Sequence, residues 1–154
     1  MVVMGHQYRV SVERTEDDRY IATNDRGARI EITGTGEGPL FSPVELLLVA
    51  TAGCNIVTTE PLTTQRGHRL PKLEISATSE KIERNKLGPV TVTYSVTFPE
   101  GDEAAEKVFR DVARRVEERH CTVSRSLREG TPVELDLSGL TGGQPEDAAT
   151  GSDG

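Results

Sequence analysis

The chain has 154 residues, 34% of them hydrophobic and 28% charged, a balance that describes one soluble globular domain with a single core. Its formal net charge of -7, from 18 Lys+Arg against 25 Asp+Glu, excludes a general affinity for nucleic acid or for an anionic membrane surface, since both need a basic face. Aromatic residues make up 4% and Trp is absent, so base-stacking platforms are poorly supplied and the core must be largely aliphatic.

No apolar run reaches the ~20 residues of a membrane span. The longest, Leu46 to Cys54, is interrupted by Thr51, and the segment Met1 to His6 has neither the basic nor the apolar region of a secretory signal. The expected location is therefore cytoplasmic. Two cysteines, Cys54 and Cys121, are too few for a disulfide scaffold, and a reducing compartment leaves a reversible pair as the remaining option.

Gln7 to Arg14 alternates, with Tyr8, Val10 and Val12 on one side, as a half-buried strand does. After a turn at Glu16 to Asp18, the spacing predicts strands over Tyr20 to Thr23 and Ala28 to Thr33, flanking the turn signal Asn24-Asp25-Arg26-Gly27. Gly34, Gly36 and Gly38 punctuate a flexible connection without the strand-to-helix context of a phosphate-binding loop. Ser42-Pro43-Val44-Glu45 then starts a long helix: Ser as N-cap, Pro at the first helical position and Glu placed to close a capping box. Leu46, Leu47, Ala50, Cys54 and Val57 or Thr58 recur at helical spacing, and Gly67 suits the C-terminal cap. Pro61 removes a hydrogen bond and clashes with the Val57 carbonyl, which predicts a kink or break near Thr59 to Pro61.

Pro71 to Glu83 and Pro89 to Phe98 read as two strands joined around Asn85 to Gly88, with Val90, Val92, Tyr94, Val96 and Phe98 on one face. Asp102 caps a second helix whose Ala105, Val108, Phe109, Val112 and Val116 repeat every three or four residues, ending near His120. A short helical turn at Val123 to Leu127 leads to a last strand, Pro132 to Leu137. Residues 138–154 are expected to be a disordered tail behind a single domain of residues 1–137.

A free Cys on an apolar helix face is usually a small core residue. His6, His68, His120 and the two Cys form no metal-ligand spacing, so neither a metal nor a cofactor is expected. His120 reads as a surface residue, and Arg110, Arg114, Arg115 and Arg119, interleaved with Asp111, Glu117 and Glu118, as a solvated face with local ion pairs.

The segment Ser42-Pro43-Val44-Glu45 through the apolar run to Cys54, then Arg66-Gly67, then Cys121-Thr122-Val123-Ser124-Arg125-Ser126-Leu127, resembles the family of osmotically inducible protein C and the organic hydroperoxide resistance proteins (OsmC/Ohr). The resemblance covers roughly residues 6 to 137. It implies an α+β, OsmC-like fold: strongly bent antiparallel sheets around two long central helices, in an intertwined homodimer with two equivalent interface sites. It further implies that Cys54 attacks an organic hydroperoxide, that Cys121 resolves the resulting sulfenic acid as a disulfide, and that a dithiol, of lipoyl type, reopens it. Such a division suits thiol chemistry, because the thiolate is the nucleophile and a second thiol guards against over-oxidation.

Three departures from the peroxidase pattern stand in this sequence. The supporting acid ten residues before the first Cys is Val44, and Glu45, nine before, turns ~900° along an ideal helix to the far side, where capping explains it better. Arg19 occupies the hairpin of the supporting Arg, but within Thr15-Glu16-Asp17-Asp18-Arg19, where it is equally suited to pairing with Asp17 or Asp18 in solvent. Thr122 replaces the usual Pro after the second Cys. The expected function is therefore a Cys-based peroxidase on Cys54 and Cys121. The alternative is an OsmC-like protein without efficient peroxidase activity, binding a small apolar or thiol ligand at the dimer interface.

Overall fold

The computed structural model describes residues 5–142. Three strands open the chain, β1 (Val10–Arg14), β2 (Tyr20–Asn24) and β3 (Arg29–Ile32), paired antiparallel in the order β1-β2-β3. The turn between β2 and β3 forms because the Asn24 side-chain oxygen accepts from the backbone N–H of Arg26 and of Ala28, while Gly27 takes a positive φ of 87° that L residues resist. At the β1–β2 turn the Asp18 backbone is left-handed.

Helix α1 (Pro43–Gln65) starts as its sequence dictates. The Ser42 hydroxyl accepts from Glu45 N–H at 3.3 Å, and the Glu45 carboxylate accepts from Ser42 N–H at 2.7 Å. Gly67, with φ 89°, follows its end. The expected break at Pro61 does not occur: the helix runs through it without interruption. Val57 is 69% exposed and Pro61 is exposed too, so the carbonyl freed by the missing N–H is open on a side the chain leaves uncovered, while fully buried Thr59 and Thr63 anchor the opposite side.

Strands β4 (Lys72–Thr78) and β7 (Thr91–Thr97) form an antiparallel ladder from Lys72 opposite Thr97 to Thr78 opposite Thr91. A short hairpin, β5 (Lys81–Glu83) with β6 (Lys86–Leu87), joins them. Helix α2 (Glu103–Arg115) begins where Asp102 accepts from Ala105 N–H at 3.1 Å. It continues through a π-turn, Val116–His120, and Cys121 then caps helix α3 (Thr122–Glu129), a full helix rather than the single turn expected. Ala105, Phe109, Val112 and Val116 face inward as their periodicity requires, and Tyr94 on β7 and Phe98 just past its end stand edge-on to Phe109.

The strand expected over Pro132 to Leu137 is absent. A strand exists only in a ladder, and among the described residues none pairs with this segment, whose alternating Val133, Leu135 and Leu137 are exposed. Residues 138–142 carry no regular element, and 143–154, the rest of the expected tail, lie outside the described residues. Lone uncovered apolar residues are ordinary on a protein surface, but the N-terminal sheet leaves Val10, Val12 and Ile30 exposed together, with exposed Tyr8 just before it.

Helix α1 differs from its apolar reading in two ways. Its 23 residues are long and apolar enough, by length and composition, to cross a membrane. Yet its fully covered face is a polar stripe, Thr51, Asn55, Thr59 and Thr63, and the expected apolar face is partly open. Burying such a stripe requires hydrogen-bond partners: Thr51 and Thr63 find theirs in the helix carbonyls of Leu47 and Thr59, Thr59 Oγ1 has none among the described residues, and those of Asn55 reach across the fold.

Candidate active site

The two cysteines, distant in sequence, meet. Cys54, on α1 beside the polar stripe, packs against fully buried Cys121 in a cluster with Val112, Val116, Leu62, Val108 and Val123. Both are free thiols, Cys54 partly exposed and Cys121 fully buried. The crossing of α1 over α2 and α3 brings them together.

Cys121 is held from two directions. As N-cap of α3, its Sγ accepts from Ser124 N–H at 3.4 Å and lies 3.2 Å from Ser124 Oγ. From α1, Asn55 Nδ2 donates to Thr51 O at 3.0 Å and faces Ser124 Oγ at 3.4 Å and Cys121 Sγ at 3.6 Å. The phenol of Tyr94 on β7 donates to Asn55 Oδ1 at 3.0 Å. Thr51 O is an obligatory acceptor, so the amide is oriented with its N–H groups toward the sulfur and its oxygen toward the phenol. Asn55 thus links α1, β7 and α3 at the cysteine pair.

Burial pushes the Cys121 thiol above its ordinary value. The bond from Ser124 opposes that rise, and the adjacent Cys54 thiol adds to it. Burial also pushes the Tyr94 phenol up, to about 12, with the carboxylate of Glu117 adding to the effect. Glu117 is itself bound by Arg128 at 2.7 Å, and its second oxygen is buried without a partner.

The structure does not join the remaining expected residue to this pair. Arg19 grips Glu31, with Nε to Oε1 at 2.9 Å, and lies 3.7 Å from Asp17; no hydrogen bond links it to either sulfur. Asp18 pairs with Arg14 instead. Glu45 is spent on its capping box, which draws its carboxyl below the ordinary value through the Ser42 backbone and hydroxyl. His120 is exposed, as expected, whereas His68 meets Asp102 at 2.6 Å, tying the end of α1 to the start of α2. On the charged face of α2, Arg110 pairs with Glu106 and Lys107 with Asp111.

Asn55, Tyr94 and Ser124 were not legible as site residues from spacing alone, although Thr51, Asn55, Thr59 and Thr63 form an i, i+4 polar line through an apolar helix. Beside Ser124 and Thr51 opens a cleft of about 470 Å³, lined by Leu47, Leu87, Val90, Val92 and Leu127 and edged by Glu117 and Arg128. Its walls suit an apolar chain.

The model of the OsmC-like protein family matches residues 34–136, and the chain belongs to this family. It is 31% identical over 129 residues to an uncharacterized protein of Mycobacterium tuberculosis, covering 82% of this chain and 93% of that one. Among solved structures it resembles an OsmC-like protein from Mycoplasma pneumoniae, with TM-score 0.62 and 19% identity over 81% of this chain and 89% of that one. It also resembles an organic hydroperoxide resistance protein OsmC from Legionella pneumophila, with TM-score 0.57 and 14% identity over 80% and 90%. The fold is accordingly OsmC-like and α+β.

Proposed function

We propose that the chain is a cysteine-based peroxidase that reduces organic hydroperoxides to alcohols, with Cys54 as the attacking thiol and Cys121 as the resolving one. The contact between a partly exposed and a fully buried free thiol, in an OsmC-like fold, carries this reading. The Cys54 thiolate attacks one oxygen of the hydroperoxide, the O–O bond breaks, and the departing alkoxide takes a proton to leave as alcohol. Cys54 is left as a sulfenic acid. Cys121 then attacks that sulfur, forming the S–S bond as the hydroxyl leaves with a proton as water, and a dithiol, of lipoyl type by family resemblance, restores both thiols.

The reading includes a homodimer in the cytoplasm. The apolar residues exposed on the N-terminal sheet and the unpaired Val133-x-Leu135-x-Leu137 segment support a second copy as cover. One observation favours the alternative of a ligand-binding protein without efficient peroxidase activity: Arg19 is engaged by Glu31 and Asp17, and Glu45 by Ser42, so neither supports a Cys54 thiolate within one chain. Hydroperoxide consumption separates the two readings. Replacing Cys54 by Ser abolishes consumption in a peroxidase, and unchanged consumption would refute this function.

A further inference from the structure

The proposed function rests on two cysteines, and of their two sulfurs the one supplied with hydrogen-bond donors is Cys121 Sγ. Two elements serve it. Helix α3 offers Ser124 N–H at its own N-terminus and α1 presents Asn55 Nδ2 at 3.6 Å, while the thiol donates to Ser124 Oγ at 3.2 Å, a hydroxyl free to turn and donate once the sulfur is ionised. Full burial of both Cys121 and Asn55 keeps water from substituting for these donors. Such a shell is superfluous around a neutral thiol, which is a weak acceptor, and useful around a thiolate.

We propose that Asn55 is a positioning residue that sets the ionisation and aim of the Cys121 thiol, with Tyr94 locking its amide in the donating orientation. The amide cannot turn over without placing Oδ1 against the Thr51 carbonyl, and the Tyr94 phenol, 3.0 Å from Oδ1, holds it there. The ionisable groups coupled to Cys121 are Cys54 on α1 and Tyr94 on β7, and Glu117 in the π-turn acts in turn on Tyr94. None of these provides a positive charge, and Arg128 is held on Glu117. Neutral donors must therefore carry the stabilisation. On the peroxidase reading, the consequence falls on the resolving step: as Cys121 attacks the Cys54 sulfenic acid, its sulfur loses its proton to the departing hydroxyl, and Asn55 stabilises the negative charge developed in between.

The test has one arm that needs no peroxide. In the Cys54→Ser protein, thiolate absorbance at 240 nm, read as the difference from the Cys54→Ser/Cys121→Ser protein, gives the titration of Cys121. Adding Asn55→Leu is expected to raise the midpoint by about one pH unit, the weight of one hydrogen bond to a charged sulfur. Asn55→Asp raises it further, by setting a carboxylate at the same place. Tyr94→Phe keeps Asn55 and raises it by less, and covers the case in which the Asn55 variants do not fold. In the protein with both cysteines, Asn55→Leu is expected to slow disulfide formation about tenfold after one equivalent of cumene hydroperoxide, with Cys54 sulfinic acid accumulating instead. An unchanged midpoint in folded Asn55→Leu and Tyr94→Phe proteins overturns the inference. If the midpoint moves while the wild-type protein forms no disulfide, the role of Asn55 at Cys121 holds and the peroxidase reading falls.

Discussion

Replacing Tyr94 by Phe removes one oxygen and leaves a ring that still meets Phe109 edge-on, at 5.7 Å between centroids and 77° between planes. Packing is thereby conserved, and the change isolates one hydrogen bond. Asn55 Oδ1 has the Tyr94 hydroxyl as its hydrogen-bond donor and Asn55 is fully buried, so the variant strands an acceptor away from water. An unsatisfied buried polar group costs about 1–3 kcal/mol. For a chain of this length each kcal/mol lowers Tm by about 2–4 °C, so a fall of roughly 2–12 °C is expected. The assay is urea unfolding at fixed protein concentration, in which the midpoint drops and the slope is unchanged. A double-mutant cycle with Asn55→Ala then tests the cause: with the amide gone, Tyr94→Phe loses most of its cost, a coupling of about 1 kcal/mol. Two results refute the reasoning. One is a stability equal to wild type, which would mean that water reaches Oδ1; the other is additivity of the two substitutions.

Three further outcomes follow from the same geometry. Pro61→Ala restores a donor for the Val57 carbonyl in an unbroken helix and is expected to raise stability by about 1–3 kcal/mol in urea unfolding, offset slightly by the freer unfolded chain; a loss would show that the ring is needed. Cys121 and Tyr94 both bind their protons more firmly folded than unfolded, so their contribution is intact below the ordinary thiol value of 9.0 and is lost as pH rises through the folded values; Tyr94→Phe should flatten the part of that decline above 10.0. On the proposed pairing of copies, Leu135→Asp places a charge in the exposed alternating segment, and light scattering should show a dimer for the wild-type chain and a monomer for the variant at micromolar concentration. A monomeric wild-type chain, or an unaffected dimer, contradicts the pairing of copies.

Much of this architecture is local in origin and so could be read from the chain. Ser42, Pro43 and Glu45 specify a helix start through bonds made within one turn, and Asn24 and Gly27 specify a hairpin in the same way. The alternation of Val92, Tyr94 and Val96 survives because β4 lies alongside to pair with it. The same pattern at Val133, Leu135 and Leu137 yields no strand, since alternation records a preference and only a neighbouring strand satisfies it. Pro61 misled for a related reason: its local cost is real, but tertiary anchoring at Thr59 and Thr63 overrides it.

At the candidate site, the two cysteines stand out in the sequence through their family pattern, and the side chains around them do not. Asn55 looks like an interruption of an apolar helix until Tyr94, 39 positions later, and Ser124, 69 positions later, are folded onto it. Long-range polar satisfaction leaves no periodic trace in a sequence. Arg19 shows the opposite failure, a residue in a suggestive place whose nearest carboxylates, Glu31 and Asp17, take its charge.

The most direct test of the central claim is mass spectrometry of the reduced protein after one equivalent of an organic hydroperoxide, set beside the same dose of hydrogen peroxide. The account predicts loss of both free thiols and a Cys54–Cys121 disulfide, formed faster with the organic oxidant. Cysteines that remain reduced, or a Cys54 that oxidises without ever bonding to Cys121, would contradict it.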